Sequence, residues 1–330
     1  MVPEYVHGPI ANVFTVFHDD GTLDDEGQRH FLDALLATES ISAYFVRSGM
    51  GQMYSFEFED VKQIAQNACK HLEGLAPVLV GTSGIWDRNP DRLPDREVYT
   101  QQAVDLSKYA QDVGAAGVVL TIPDALGVRN GETAEEVSLR YFETVAASVT
   151  IPIFLYQPGT PKPFRVTPEA IRLYADIPGV KGIKVSTAEA GYILDLCYMI
   201  AGHEDFAFIT GNETAFYTGL CVGSRAVIGQ GACVNPAILR AVQDRFEQGD
   251  HAGAIEAQYS TNLLVRKAKC TVEFFKRYLN EKGYRMGTKG RPSKFVLYQD
   301  KEKVKEVLSE EDYQSYKRLL ESELAKYVRG

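Results

Sequence analysis

The sequence predicts an α/β protein, a (β/α)8 TIM barrel with a C-terminal helical extension. Three observations carry that prediction. Short apolar runs alternate with longer amphipathic stretches eight times before about residue 250, which is close to the usual span of eight β-then-α units. The runs are continuously apolar, as suits strands buried on both faces of a parallel sheet. No glycine-rich dinucleotide turn follows an early run, although an open doubly wound sheet would want one.

In chain order the predicted strands are 13–17, 41–47, 77–81, 117–122, 152–156, 182–186, 206–210 and 225–229. The predicted helices are 24–38, 57–72, 97–113, 134–148, 168–175, 188–200, 213–221 and 236–248. Thr133 before Ala134-Glu135-Glu136 reads as an N-cap with a capping-box glutamate, and Thr167-Pro168-Glu169 sets proline at a first helical position. A barrel carrying the active site is therefore expected over residues 1–248. Residues 249–330 form a helical region, broken at 283–292, that packs on the barrel or on a neighbouring subunit. Ser309-Glu310-Glu311-Asp312 opens its last helix, in which Tyr313, Tyr316, Leu319, Leu320 and Leu324 recur at helical spacing.

Composition removes several function classes. The net charge is −9 and the isoelectric point near 5.3, with no basic stripe interleaved with aromatics, so a nucleic-acid surface is not expected; the short basic stretch 282–294 reads as a solvated loop. The five cysteines, Cys69, Cys197, Cys221, Cys233 and Cys270, are widely spaced without Cys-x-x-Cys, which speaks against a disulfide framework or zinc site and for a reducing cytoplasm. The six histidines are isolated, so neither a metal nor another cofactor is expected. No basic-then-apolar leader is seen, and no window approaches the ~18 apolar residues that span a bilayer.

One residue breaks the strand pattern. Lys184 lies inside the run Val180-Lys181-Gly182-Ile183-Lys184-Val185-Ser186. Burying an unpaired ammonium is expensive, so such a lysine is paired, snorkelling or used. Desolvation keeps its amine free near neutral pH, where it can attack a ketone to form a Schiff base. Active sites of such barrels sit at the C-terminal ends of the strands, and there Tyr156 closes the neighbouring fifth run, about 4.8 Å away. A phenol and an amine so placed can act on one carbonyl; a rim tyrosine of the core is the plainer use.

Ser48, Gly49 and Met50 follow the second run, where successive backbone N–H groups can converge on a carboxylate or simply form a tight turn. Gly211, Ile228 and Gly229 follow strands seven and eight, where backbone passes close to a ligand or a phosphate. Arg47, Arg129, Lys162 and Arg165 are candidates for holding an acidic or hydroxylated acceptor, or are solvated cations.

With Lys184 and Tyr156 on adjacent strands, the chain resembles the dihydrodipicolinate synthase and N-acetylneuraminate lyase family of class I pyruvate-dependent aldolases over roughly residues 8–245. Thr15-Val16-Phe17 with Asp20-Gly21 and Asp24 is similar to the opening T-P-F-x-x-D-G-x-x-D, with Val16 in place of proline. The stretch from Pro152 to Tyr156 resembles the tyrosine strand, Gly182-Ile183-Lys184 the G-x-K motif, and Thr210-Gly211-Asn212 the seventh-strand end. Gly223, Gly229 and Asn235-Pro236 match the eighth unit. The resemblance implies a 2-oxo acid, usually pyruvate, bound covalently to Lys184, with Tyr156 relaying protons and an aldehyde as second partner. It also implies a homotetramer assembled as a dimer of dimers.

The departures are informative. Where the family has G-T-T-G-E, this chain has Ser48-Gly49-Met50-Gly51-Gln52, and Asp124-Ala125 stands where paired tyrosines are expected. After Tyr156 comes Gln157 instead of asparagine, and the synthase's carboxylate-binding arginine falls on Pro161. An insertion over 85–94 carries the only tryptophan. The expectation is aldol cleavage, condensation or dehydration of a 2-oxo acid through a Schiff base. The alternatives are the authentic 4-hydroxy-tetrahydrodipicolinate (dihydrodipicolinate) synthase and a 2-oxo-acid-binding or structural relative with impaired turnover.

Overall fold

Eight parallel strands close on one another in chain order. The structure is a computed structural model that describes residues 1–159, 163–291 and 307–327. The strands are β1 (Gly8–Asn12), β2 (Ala43–Val46), β3 (Val78–Gly81), β4 (Gly117–Thr121), β5 (Ile153–Gln157), β6 (Val180–Val185), β7 (Ala207–Thr210) and β8 (Ala226–Val227). The ring closes where Gly8 pairs with Ala226 and Pro9 with Val227. Alternation along the strands builds two cores. Phe45, Leu79, Val119, Phe154, Tyr156 and Ile209 fill the barrel interior, and Tyr44, Val80, Leu120, Leu155 and Val185 face the surrounding helices.

The helices after successive strands are α1 (Asp25–Leu36), α2 (Phe58–His71), α3 (Arg96–Asp112), α4 (Ala134–Ala146), α5 (Pro168–Ala175), α6 (Ala190–Met199) and α7 (Phe216–Cys221). After β8 come a single turn, α8 (Gly231–Val234), and then α9 (Pro236–Glu247). Thr133 and Glu136 form the expected capping box, each side chain meeting the other's backbone N–H. The predicted seventh helix begins as a 3-10 turn over Glu213–Ala215.

The first strand is displaced from its predicted place. Residues 13–17 lie beyond β1, at the C-terminal mouth of the barrel. Their run is apolar because tertiary packing buries it: the Phe14 ring lies 5.6 Å from Phe31 and 6.3 Å from Phe275. The less apolar segment Gly8–Asn12 makes the ladder instead. Hydrophobicity reported burial there, not pairing.

Beyond the barrel come α10 (His251–Lys267), α11 (Thr271–Glu281) and α12 (Glu310–Leu324). α10 runs against α9, and α11 against α1. The aromatic stripe of α12 packs on the chain's own helices: Tyr316 and Tyr313 lie 4.6 and 5.2 Å from the Phe274 ring of α11. No helix among the described residues is long and apolar enough to cross a membrane.

Candidate active site

Strand register brings the two principal residues together. Tyr156 is the ladder partner of Lys184 across β5 and β6, so both side chains point into the barrel at its C-terminal end. Lys184 is only 2% exposed, and its Nζ lies 4.2 Å from the Tyr156 ring centroid and 6.0 Å from that of Phe45. Phe45 meets Tyr156 edge-on at 6.4 Å. No carboxylate among the described residues forms an ion pair with this amine. Burial pushes its pKa below the usual lysine value, against weaker upward pulls from Tyr156 and Glu213. The arrangement provides an amine that gives up its proton more readily than an ordinary lysine, beside a phenol.

The loop after β2 turns tightly on Ser48. The carbonyl of Ser48 accepts from the N–H groups of Gly51 (3.1 Å) and Met53 (3.1 Å) and closes a tight turn. Among the described residues, the N–H groups of Gly49 and Met50 donate to no protein acceptor, which leaves them for a ligand. The Ser48 hydroxyl has another use: it donates to the carbonyl of Val13 at 2.8 Å and accepts from Gly51 N–H. Ser48 therefore shapes the loop through its side chain and is fully buried.

Gly211, Ile228 and Gly229 lie at the ends of β7 and β8 as expected, and a buried carboxylate that the sequence reasoning missed lies between them. The Gly211 N–H donates to Val185 O, and the Ile228 N–H to Thr210 O, each at 2.9 Å. Glu213, 5% exposed, accepts from Gly231 N–H at 3.1 Å. Gly229 leaves the space that the glutamate occupies: an added Cβ would collide with its Oε2 and stand 2.7 Å from its Cδ. Burial raises the Glu213 pKa, with the backbone donors and Lys184 opposing. The signal available in sequence was a glutamate two residues after Gly211, facing a Gly-x-Gly.

The four candidate acceptor cations fare differently. Arg47 is 3% exposed, takes a left-handed backbone at φ +49, and spends its guanidinium on the carbonyls of Gly81, Ser83 and Gly84. It braces the ends of β2 and β3 from the helix side, among Tyr54, Tyr99 and Tyr141. Arg165 pairs with Glu189 at 2.7 Å on the surface, Arg129 is exposed, and Lys162 lies outside the described residues, as does Pro161. Among the described residues no group of three or more His, Cys, Asp or Glu stands where it could hold a metal.

Residues 6–311 match the dihydrodipicolinate synthetase family. The chain belongs to this family. It is a lyase of that class. It is 29% identical, over 78% of its length and 79% of the relative's, to YagE of Escherichia coli K12, whose name proposes a 2-dehydro-3-deoxy-D-gluconate aldolase. It is 27% identical, over 80% and 84%, to the 4-hydroxy-tetrahydrodipicolinate synthase of Dechloromonas aromatica. In fold it is similar to the crystal structure of YagE in complex with pyruvate (TM-score 0.79, 24% identity, 98% and 99% covered). It is likewise similar to N-acetylneuraminate lyase of Mycoplasma synoviae (TM-score 0.74, 16% identity, 99% and 99% covered).

Two departures from the family pattern now have a geometry. Gly49, at a threonine position of the pattern, faces the Tyr156 hydroxyl: a Cβ there would sit 3.0 Å from Oη. Asp124, at a tyrosine position, pairs with Arg88 of the 85–94 insertion at 3.5 Å.

Proposed function

We propose that this lyase acts on a 2-oxo acid of the pyruvate type through a Schiff base on Lys184, and makes or breaks a C–C bond to an aldehyde. The observation that carries the reading is the Lys184 amine, buried and without a carboxylate partner at the catalytic end of the barrel, 4.2 Å from the ring of Tyr156. The donor carboxylate would take the N–H groups of Gly49 and Met50, which orients its ketone towards the amine. Gly211, Ile228 and Gly229 would wall the opposite side.

The free amine attacks the ketone carbon, and the resulting carbinolamine loses water to give a protonated imine. That iminium withdraws electrons, so loss of a proton from the adjacent carbon gives an enamine, which attacks the aldehyde carbon; hydrolysis then returns the amine. Tyr156 exchanges protons with the carbinolamine oxygen and the new hydroxyl. The pyruvate complex of YagE and that relative's proposed aldolase name support the donor class. Gly49 and Asp124, which bring no hydroxyl of threonine or tyrosine, favour an acceptor other than that of the synthase. A cytoplasmic homotetramer, as the family resemblance implies, belongs to the same proposal.

The test is incubation with pyruvate, reduction with borohydride and peptide mass mapping. An adduct on Lys184 is expected. No adduct with pyruvate or with a panel of 2-oxo acids would end the Schiff-base reading.

A further inference from the structure

The 85–94 segment between β3 and α3 is not needed to close the barrel, and its internal bonds give it one shape. Trp86 Nε1 donates to the carbonyls of Asn89 (3.2 Å) and Arg92 (3.1 Å), while Asp87 accepts from Asn89 N–H (3.0 Å) and pairs with Arg92 (2.7 Å). Between these contacts Arg88 adopts φ +60 and turns inward, its side chain only 13% exposed. Its guanidinium lies 4.9 Å from the Tyr54 ring centroid and 3.5 Å from the Asp124 carboxylate. The insertion thus delivers a cation to one aromatic ring at the mouth of the barrel.

That ring belongs to the site. Tyr54 packs against the interior cluster that contains Tyr156, Phe45 and Met53. Its hydroxyl is buried and has no hydrogen-bond partner. A buried donor left unpaired is uncommon in a native fold and calls for a partner that arrives in another state. The charged and titratable groups acting on it are Arg88, Asp124, Tyr156, Tyr99 and Arg47, and burial keeps the phenol protonated, as a donor. The Tyr156 hydroxyl is also faced by Gly49, which offers no hydroxyl.

We propose that Tyr54 is a positioning phenol of the active site: it donates to the Tyr156 oxygen when Tyr156 has released its proton, and Arg88 with Asp124 holds it in place. The proposal rests on the reading of Tyr156 as the proton carrier. A phenolate formed among apolar walls needs a donor, and a protonated phenol of the same cluster that has no partner to give up can turn to it as the proton leaves. The insertion then has a function: it fixes the ring that carries the donor.

The test needs only pyruvate. Exchange of its methyl protons in D2O, followed by NMR, reads enamine formation on the full-length enzyme and separates the maximal rate from KM. Tyr54→Phe should lower that rate roughly 10²-fold, as loss of a donor to a developing oxyanion does, with KM for pyruvate held within about twofold because the carboxylate loop is untouched. In a Tyr156→Phe background the same change should cost less than about threefold, because the acceptor is gone. Arg88→Met, which leaves the phenol in place but unclamped, should reproduce part of the loss with the fold intact by circular dichroism. A wild-type rate for Tyr54→Phe, or an equal fold-loss in both backgrounds, overturns the proposal while Tyr156 stands. A wild-type rate for Tyr156→Phe removes the reading beneath it.

Discussion

Replacing Lys184 with methionine is expected to stabilise the protein while silencing it. The side chain is 2% exposed, its amine lies against the rings of Tyr156 and Phe45, and no carboxylate compensates it. Methionine has similar length, no charge to desolvate, and a thioether that packs well on aromatic rings. Exchange of uncompensated buried charge for apolar volume gains about 1–4 kcal/mol. With 330 residues at about 2.1 cal/mol/K each, the unfolding entropy is about 0.7 kcal/mol/K, so Tm should rise by about 1.5–6 °C. The sign with pH follows from the lowered pKa. Between the folded value and the usual lysine value the unfolded chain binds more protons, so wild-type stability climbs with pH across that window. The advantage of methionine is therefore full below the window and fades through it. Calorimetry at several pH values, alongside pyruvate-dependent methyl exchange, measures both halves. A Tm lowered by several degrees, or exchange that survives, would show that the amine is a structural bond and not a destabilised nucleophile.

Three further changes probe the surroundings. Tyr156→Phe should slow pyruvate methyl exchange by roughly 10²–10⁴-fold while borohydride still traps an adduct, and an unchanged rate would take the phenol out of the mechanism. Gly229→Ala drives a methyl group into the Glu213 carboxylate and should cost about 1–3 kcal/mol in urea unfolding as that side chain is expelled; an unchanged midpoint would mean that Glu213 does not occupy this seat. Lys276 is buried with its pKa pushed down by desolvation to about 7, so from about pH 7 towards 10.5 wild-type stability should rise by up to about 1.4 kcal/mol per pH unit relative to Lys276→Met. A stability difference that stays flat from pH 7 to 9 would contradict that burial.

Periodicity made most of the fold legible, because each β-then-α unit must bury a continuous strand beneath one helical stripe. It failed at residues 13–17, whose apolarity comes from α1 and α11, elements distant in sequence from the run they cover. The pairing of Tyr156 with Lys184 was legible because both close neighbouring runs and parallel register aligns such ends. Side-chain direction was not: Arg47, a candidate for holding the acceptor, gives its guanidinium to three carbonyls. Glu213 escaped because Gly229, which makes room for it, is read first as room for a ligand. Tyr54 gave no signal at all, since it lies in an aperiodic loop and gains its meaning from Arg88, which the insertion supplies.

Burial alone does not make a nucleophile, and this chain contains its own control. Arg47, Lys184 and Lys276 are the buried cations among the described residues. Arg47 is committed to three carbonyls, and a guanidinium offers no lone pair for attack. Lys276 loses its proton near pH 7, yet its Nζ is committed to the carbonyl of Thr15 at 2.7 Å, beneath the run at the barrel mouth. Lys184 lies against the rings of Tyr156 and Phe45, inside the barrel at the C-terminal ends of β5 and β6 and within reach of the Tyr156 phenol. The distinguishing property is the seat inside the barrel beside the Tyr156 phenol, and it makes a sharp prediction. At pH 7.5 pyruvate and borohydride should place the adduct on Lys184 and none on Lys276, although both amines are buried and both are shifted towards neutrality. Labelling of Lys276 to a comparable extent would show that desolvation by itself selects the reactive lysine, and the geometric argument for Lys184 would fall with it.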